Sequence, residues 1–326
     1  MTMTASFTKN FGIEIELINL NPTEAARVIC EAGIPAQTEI YNHTDHSDEM
    51  WKVVTDASIK GAKTCEVVSP ILHGEAGLAI AKRVAEALED AGASANKSCG
   101  LHVHFDARSM NCTEIKSIVT RYAAFESRID KFMPMSRRSN HNYYCASVSK
   151  LVSSASFKEA ATRESLIRAQ GTRYQKVNLQ SLGRHNTVEF RQHSGTVNAS
   201  KIASWVLFLN AFIDESIRLA HETRNESSIN LGRKEQKLID LIREGVTSKE
   251  DLANAFNILP HSVATIVFNA RKQGMVINTN RAHGTTFYTI GESISAPVNH
   301  AEDDLFNGVP SEIVAYCNAR AVVLAA

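Results

Sequence analysis

Apolar and polar residues alternate in several short stretches of the chain, and this two-residue period predicts β-strands. In residues 11–20 (FGIEIELINL), Ile13, Ile15 and Leu17 would leave one face of a strand, and the polar side chains between them would leave the other. Further strands are predicted, in chain order, over residues 51–59, 64–72, 99–108, 173–182 and 186–196. Several of these strands would bury one face and carry polar side chains on the other.

Four longer stretches combine helix-forming residues with start and stop signals, and they predict α-helices between the strands. They cover residues 21–33, 74–92, 112–133 and 201–222. Pro22 opens the first of these helices, and Gly92 ends the second. Amphipathic strands mixed with such helices are typical of an α+β domain with a mostly antiparallel sheet and helices packed on one face. We assign this domain to residues 1–225.

The rest of the chain has a different pattern. The polar stretch HETRNESSIN (residues 221–230) predicts a linker, and a compact second domain follows at residues 232–291. Three short helical patterns and then a hairpin are the layout of a winged helix-turn-helix. Such a domain binds DNA or docks onto proteins, and both alternatives stay open because its third helix is only weakly basic. Residues 292–326 are predicted to be a tail whose end could form a helix.

Composition narrows the class of protein. The 326 residues include 35 Lys plus Arg and 35 Asp plus Glu, so no overall charge points to nucleic acid or to a membrane surface. The six cysteines form no Cys-x-x-Cys pair, which argues against a zinc knuckle and favours a reducing compartment. Without a signal peptide or an apolar run of about 20 residues, the sequence predicts a cytoplasmic protein with no membrane partner. An oligomer stays open.

The polar faces of the predicted strands carry residues that could bind a metal ion or a phosphate. Three strands each present two such residues two positions apart, and another strand adds Glu66. The pairs are Glu14 and Glu16, His102 and His104, and Glu189 and Arg191. Carboxylates with an imidazole suit Mg²⁺ or Mn²⁺ better than zinc, and a guanidinium beside them can neutralise a phosphoryl group. Plain packing stays an alternative for the two histidines.

A phosphate could also be reached from outside the strands. Arg137 and Arg138 follow a predicted helix in a loop, where they could reach a polyphosphate or simply lie in solvent. The familiar nucleotide-binding motifs are missing, since GASANKS lacks the second glycine and the spacing of a phosphate-binding loop, and no G-x-G-x-x-G occurs. A nucleotide would therefore have to be held by the sheet and these arginines.

Seven motifs, taken in order, resemble the amidoligase family of the carboxylate–amine ligase superfamily, which includes glutamine synthetase and glutamate–cysteine ligase. They are FGIEIEL, DASI, EVVSPIL, CGLHVHFD, MPMSRRSNHNYYC, RYQKVNL and TVEFRQHSGT, within residues 11 to 220. The resemblance implies a glutamine synthetase-like catalytic domain, in which the concave face of a twisted antiparallel sheet holds ATP and two or three Mg²⁺ ions. It covers the first domain and leaves the winged helix unexplained.

The resemblance also implies roles for the residues named above. The metal ligands would be Glu14, Glu16, Glu66, His102 and Glu189. His104 would lie near the transferring phosphate, and Arg191 would neutralise the γ-phosphoryl group. One or both of Arg137 and Arg138 would contact the phosphates of ATP.

Three further residues match family positions that line the site, namely Asp56, Ser58 and Asn178. No role is assigned to Ser58, Asn178 is placed with the nucleotide, and Asp56 is the candidate that takes a proton from the amine. The implied reaction joins a small-molecule or peptide carboxylate to an amine through an acyl phosphate. The rival function is a ligand-sensing, DNA-binding regulator with a degenerate ligase domain. The enzyme is favoured because the candidate metal and arginine positions are all filled, and a purely structural metal site would leave Arg191 unexplained.

Overall fold

The computed structural model describes residues 7–39, 49–228, 232–273, 275, 277–282, 284–290, 304–306, 309, 311–315 and 317. The chain divides into two compact units. The first unit comprises Met1–Arg218 and Leu305–Ala326, and the second comprises Leu219–Asp304. Within the described residues, no helix combines the length and the apolar character that crossing a membrane requires.

The first unit is built on an eight-stranded sheet. Its strands are β1 (Asn10–Ile18), β2 (Ala36–Thr38), β3 (Trp51–Val54), β4 (Thr64–Val68), β5 (Leu72–His73), β6 (Gly100–Asp106), β7 (Val177–Asn178) and β8 (Thr187–Ser194). The order across the sheet is β2-β3-β4-β1-β6-β8-β7, with β5 paired to one end of β1. Every pairing is antiparallel except that of β2 with β3. The expected mixed fold with a mostly antiparallel sheet is therefore confirmed.

Helices connect the strands of this sheet. They are α1 (Pro22–Glu31), α2 (Gly74–Asp90), α3 (Cys112–Ile129), α4 (Ser149–Ser153), α5 (Ala155–Glu159), α6 (Arg163–Gln170), α7 (Ser181–Arg184) and α8 (Ala199–Ser228). Capping boxes start three of them. Asn21 and Asn111 each exchange hydrogen bonds with the glutamate three residues later, and Thr162 does the same with Ser165. The four long helices were predicted with bounds that differ by only a few residues at most ends.

One core joins the apolar face of the sheet to the helices. Ile13 and Ile15 of β1 are at most 1% exposed, and they share a hydrophobic cluster with Phe190 of β8 and with Phe208 and Phe212 of α8. The alternation in β1 thus sends its isoleucines into the core and leaves its carboxylates on the opposite face. The polar face of the sheet is where candidate chemistry is found.

Three predicted elements differ from the structure. The strand expected over residues 51–59 stops at Val54, because Asp56 accepts a hydrogen bond from the Ser58 amide and turns the chain. The strand expected over residues 173–182 is reduced to β7, and α7 begins at Ser181. The linker expected from residue 221 is wrong for residues 221–228, which continue α8, since no proline or glycine interrupts the helix there.

The second unit is small and has its own hydrophobic core. Its elements are α9 (Arg233–Arg243), α10 (Lys249–Phe256), α11 (Pro260–Lys272), β9 (Ile277–Ala282) and β10 (Thr285–Ile290). β9 and β10 pair as an antiparallel hairpin, with Gly284 at a φ of 81° between them. The three helices and the hairpin occur in the predicted order. Of the predicted terminal helix, residues 311–315 and 317 are helical, and most of the rest lies outside the described residues.

Candidate active site

Strand pairing brings the polar residues of distant chain segments into one row on the sheet. Glu16 of β1 lies directly opposite Glu66 of β4, and Glu14 of β1 lies directly opposite His102 of β6. On the far side of β6, His104 lies opposite Glu189 of β8. We call the six residues named in this paragraph the polar row. It crosses four neighbouring strands, and the two glutamates of β1 are at its centre.

The polar row is built from groups that could ligate a metal ion. Three groups of side chains place one ligand atom from each member within 4.8 Å of the others. These groups are Glu14 with His104 and Glu189, Glu14 with Glu66 and His102, and Glu16 with Asp56 and Glu66. Because the groups share Glu14 and Glu66, they form one continuous cluster. A donor set of carboxylates with an imidazole fits a hard divalent cation such as Mg²⁺ or Mn²⁺.

The two histidines both contact carboxylates of the row. His102 is 3% exposed, and its Nδ1 lies 2.8 Å from Glu14 Oε2 while its Nε2 lies 3.6 Å from Glu16 Oε1. His104 Nδ1 is 2.9 Å from Thr187 Oγ1, and its Nε2 is 3.3 Å from Glu14 Oε1. Both imidazoles thus belong to candidate metal groups, whereas the sequence expectation gave the metal to His102 and the phosphate to His104.

Close packing of the main chain supports this arrangement at the start of β6. The Gly100 amide donates a hydrogen bond to Glu16 Oε2 at 2.6 Å. A Cβ atom at position 100 would lie 2.8 Å from His102 Nε2, so any other residue here would displace the imidazole. Glycine at this position lets the backbone approach both the carboxylate and the ring.

Several acidic side chains lie close together at the β4 end of the row. Burial raises the pKa of the Glu66 carboxyl well above its usual value, and the carboxylates of Glu14, Glu16 and Asp56 raise it further. Burial also raises the pKa of Glu16, although His102 opposes the shift. A cation among these carboxyls would lower their pKa values, because it would stabilise the ionised forms. This is the chemical reason that the donor set fits a metal ion.

The β8 end of the row has the opposite electrostatic character. Burial is the largest single influence on Glu189 and acts to raise its pKa, but Arg191, His104 and His102 together outweigh it and the pKa falls below its usual value. Arg191 Nη1 donates to Glu189 Oε1 at 2.5 Å, and Asn178 Nδ2 donates to Glu189 Oε2 at 2.5 Å. Burial likewise acts to raise the pKa of Glu14, but His104 and then His102 hold it well below its usual value.

The remaining predicted residues lie around the row. Asp56 joins the acidic group at the β4 end, and Ser58 forms the turn beside it. Arg137 is 4% exposed, donates to the Cys99 carbonyl, and lowers the pKa of Glu16. Arg138 is half-buried, and its Nε donates to the Met133 carbonyl at 2.8 Å. The two arginines that were expected in an open loop are thus engaged with main-chain carbonyls.

Sequence reasoning missed several residues that contact this site. Thr187 bonds to His104, and its position two residues before Glu189 on the same strand face could have indicated it. Lys176 and its carboxylate partners Glu126 and Asp130 form a buried ion network behind β8. No local pattern marks this network, because Lys176 lies 50 residues from Glu126 and 46 residues from Asp130 along the chain.

A comparison with protein families finds a match that spans the strands of the polar row. A family model described as "Putative amidoligase enzyme" matches residues 8–213. The chain belongs to this amidoligase family. The match confirms the resemblance, and the matched range includes every residue of the polar row together with Arg137, Arg138 and Arg191. The amidoligase name implies a ligase. No curated protein matches the chain.

The amidoligase match ends within the first unit, so the second unit has its own surface to consider. Three basic residues, Arg271, Lys272 and Arg281, lie at the end of α11 and in the hairpin, and all three are exposed. Arg271 bonds to the Ile277 carbonyl at 2.9 Å and to Thr279 at 2.7 Å. Phe268 on α11 is 64% exposed. This helix therefore presents an aromatic ring as well as positive charge.

Proposed function

We propose that the protein is an ATP-dependent carboxylate–amine ligase. A substrate carboxylate takes the γ-phosphoryl group of ATP and forms an acyl phosphate with release of ADP. The nitrogen of a neutral amine then attacks the acyl carbon, the C–O bond to phosphate breaks, and an amide, phosphate and a proton result. The observation that carries this proposal is the polar row itself, in which linked groups that could hold a metal ion end beside Arg191, a half-buried arginine paired with Glu189.

Metal ions would bind at the β4 end and at the centre of the polar row. Glu16, Glu66 and Asp56 would hold one Mg²⁺ or Mn²⁺ ion, and the groups that contain Glu14 would hold another. A cation bound there would neutralise the charge of the phosphates and fix their position. Glu14 stays ionised and accepts a hydrogen bond from His102 Nδ1, and this contact keeps both side chains in place.

Arg191 and Asp56 have distinct roles in the proposal. The Arg191 guanidinium keeps its charge when buried because Glu189 pairs with it, and it offers N–H donors to the transferring phosphoryl group. Asp56 is partly exposed, so it can take the proton that the attacking amine releases. Asn178 orients Glu189, and through it Arg191.

The experiment is ATP turnover in the presence of Mg²⁺ and mixtures of amino acids, peptides and amines. We expect ADP release together with a product whose mass equals acid plus amine minus one water. Glu16→Ala and Arg191→Ala should abolish both, whereas Arg27→Ala should not, because Arg27 pairs with Glu31 on the exposed side of α1. Turnover that survives in both site variants would refute the assignment.

The rival function remains a ligand-sensing regulator that binds DNA through the second unit. The filled positions of the polar row favour the enzyme, since a sensor would not require an intact set of metal ligands and Arg191. A DNA-binding regulator would show tight, sequence-selective DNA binding that responds to ATP or to an amino acid. Specific DNA binding without any ATP turnover would support the rival and refute the ligase.

A further inference from the structure

A buried lysine lies behind the candidate active site and takes no part in the proposed chemistry. The Lys176 side chain is 0% exposed, and its Nζ is 2.7 Å from both Glu126 Oε1 and Asp130 Oδ1. Glu126 lies in the last turn of α3, and Asp130 follows directly after that helix. Burying a charged group is costly unless it is paired and hydrogen-bonded, so such a network needs a reason in the structure around it.

The two carboxylates use their other oxygens to hold residues 137–148, which we call the 137–148 segment. Glu126 Oε2 accepts hydrogen bonds from Ser147 Oγ at 2.9 Å and from the Val148 amide at 3.2 Å. Asp130 Oδ2 accepts one from the Ser139 amide at 2.8 Å. Both ends of the segment are thus fixed to carboxylates that Lys176 neutralises.

Gln192 of β8 adds a further link on the Asp130 side. Its Nε2 donates to Asp130 Oδ1 at 2.5 Å and to the Arg137 carbonyl at 3.3 Å. Its Oε1 accepts from Tyr122 Oη at 2.6 Å, so the orientation of the amide is set on both sides. The first residue of the 137–148 segment is thereby tied to the strand that carries Arg191.

The main chain of Lys176 connects the same parts. Its amide donates to the Ala146 carbonyl at 2.8 Å, and its own carbonyl accepts from the Arg191 amide at 2.8 Å. The segment then reaches the site at two points. Arg137 donates to the Cys99 carbonyl beside the polar row, and the Tyr144 carbonyl accepts from Arg191 Nε at 3.4 Å.

We propose that Lys176 is a positioning residue, which holds the 137–148 segment so that Arg137 and Arg191 keep their places beside the polar row. Lys176 acts through Glu126 and Asp130 and touches neither substrate nor metal ion. A buried site of this kind gains from such support, because small displacements of a charged group lower the rate of the reaction it assists. The effect on catalysis rests on the proposed function, and the effect on the segment does not.

The test compares the full-length protein with Lys176→Met, which keeps an unbranched side chain of similar length and removes its charge. We expect amide hydrogen exchange at Ser139 and Val148 to become about tenfold faster or more, because their carboxylate acceptors lose their cation. We expect kcat to fall by about tenfold or more while the KM for ATP changes by less than about threefold, since the binding groups remain. The Mg²⁺-induced rise in melting temperature should stay as in the unsubstituted protein.

A second variant keeps the test decisive if Lys176→Met does not fold. Ser147→Ala removes one bond to Glu126 and leaves the buried ion pairs intact. It should speed exchange across residues 140–148 and lower kcat several-fold, whereas the matched control Ser153→Ala, whose hydroxyl bonds only to Ser149, should do neither.

The outcomes separate the two proposals. Exchange in the 137–148 segment that is unchanged in folded Lys176→Met, or in Ser147→Ala when Lys176→Met does not fold, would overturn the positioning role. So would loosened exchange with an undiminished kcat. An unsubstituted protein without ATP turnover would instead refute the proposed function, and hydrogen exchange would still decide whether Lys176 holds the segment.

Discussion

Replacing Glu66 by glutamine tests the claim that the acidic end of the polar row is built for a cation. Glu66 is 7% exposed and shares a group with Glu16 and Asp56 in which the ligand atoms lie within 4.8 Å of one another. Two unit charges about 4.8 Å apart repel by ~3.5 kcal/mol at an effective dielectric constant of ~20. Arg191 offsets part of this repulsion. When no metal is bound, we therefore expect the free energy of unfolding to be about 2 kcal/mol larger for Glu66→Gln than for the unsubstituted protein.

The sign of the effect follows from the raised pKa of Glu66. A carboxyl whose pKa is higher in the folded state than in the unfolded state costs stability as pH rises above its unfolded value of about 4.3. The cost grows until the folded pKa is passed, and then stays constant. The stability difference between Glu66→Gln and the unsubstituted protein should therefore be small at pH 4 and widen toward neutral pH.

Thermal unfolding with EDTA and with Mg²⁺ is the assay. In EDTA at neutral pH, Glu66→Gln should melt about 4 to 8 °C higher, given roughly 2 to 4 °C per kcal/mol for a unit of this size. With Mg²⁺ at about 100 times its Kd, the unsubstituted protein should gain ~2.7 kcal/mol and the variant much less. Glu86→Gln, at an exposed position of α2, is the matched control and should change neither value. A variant that is no more stable in EDTA, or that gains as much from Mg²⁺, would refute the reasoning.

Three further predictions concern the arginine, the cysteines and the second unit. Arg191→Lys keeps the charge but loses the planar donor geometry, so kcat should fall about 10- to 100-fold in steady-state assays with a smaller change in KM, and an unchanged kcat would count against its role. Burial raises the pKa of Cys65 to about 12, so mass spectrometry after alkylation at pH 8 should find the exposed Cys30 modified and Cys65 intact in the folded protein. Any DNA binding by the second unit should weaken steeply with salt in a gel-shift assay, and binding that salt does not affect would contradict an electrostatic contact through Lys272 and Arg281.

The sequence predicts much of this fold because each central strand carries its own two-residue alternation. In β1 the isoleucines have to face the core, which leaves Glu14 and Glu16 together on the other face. Local patterns fail where a side chain ends an element. Asp56 turns the chain through its bond to the Ser58 amide, and nothing in the apolar spacing before it shows that the strand has already stopped.

Pairing between strands is what the sequence could not supply without a resemblance to a family. Glu16 and Glu66 are directly opposite each other although 50 residues separate them in the chain, and alternation alone permits many registers. The same limit applies to Lys176, whose partners lie near the end of α3. The stretch around Lys176 predicts a strand over residues 173–182, and nothing in that pattern indicates a buried ion pair. Residues that meet through tertiary packing carry no common signal in a single sequence.

The order of the strands arranges charge along the polar row, and this order bears on how a phosphate would lie. At β4 and β1, burial and mutual repulsion raise the pKa values of Glu66 and Glu16, so a cation placed there would favour their ionised forms. At β8, Arg191 together with the two histidines outweighs burial and lowers the pKa of Glu189, so that end already contains its own positive charge. A phosphate held between a cation at one end and Arg191 at the other would be neutralised from both sides. This arrangement favours phosphoryl transfer over a purely structural metal site, which would need no arginine.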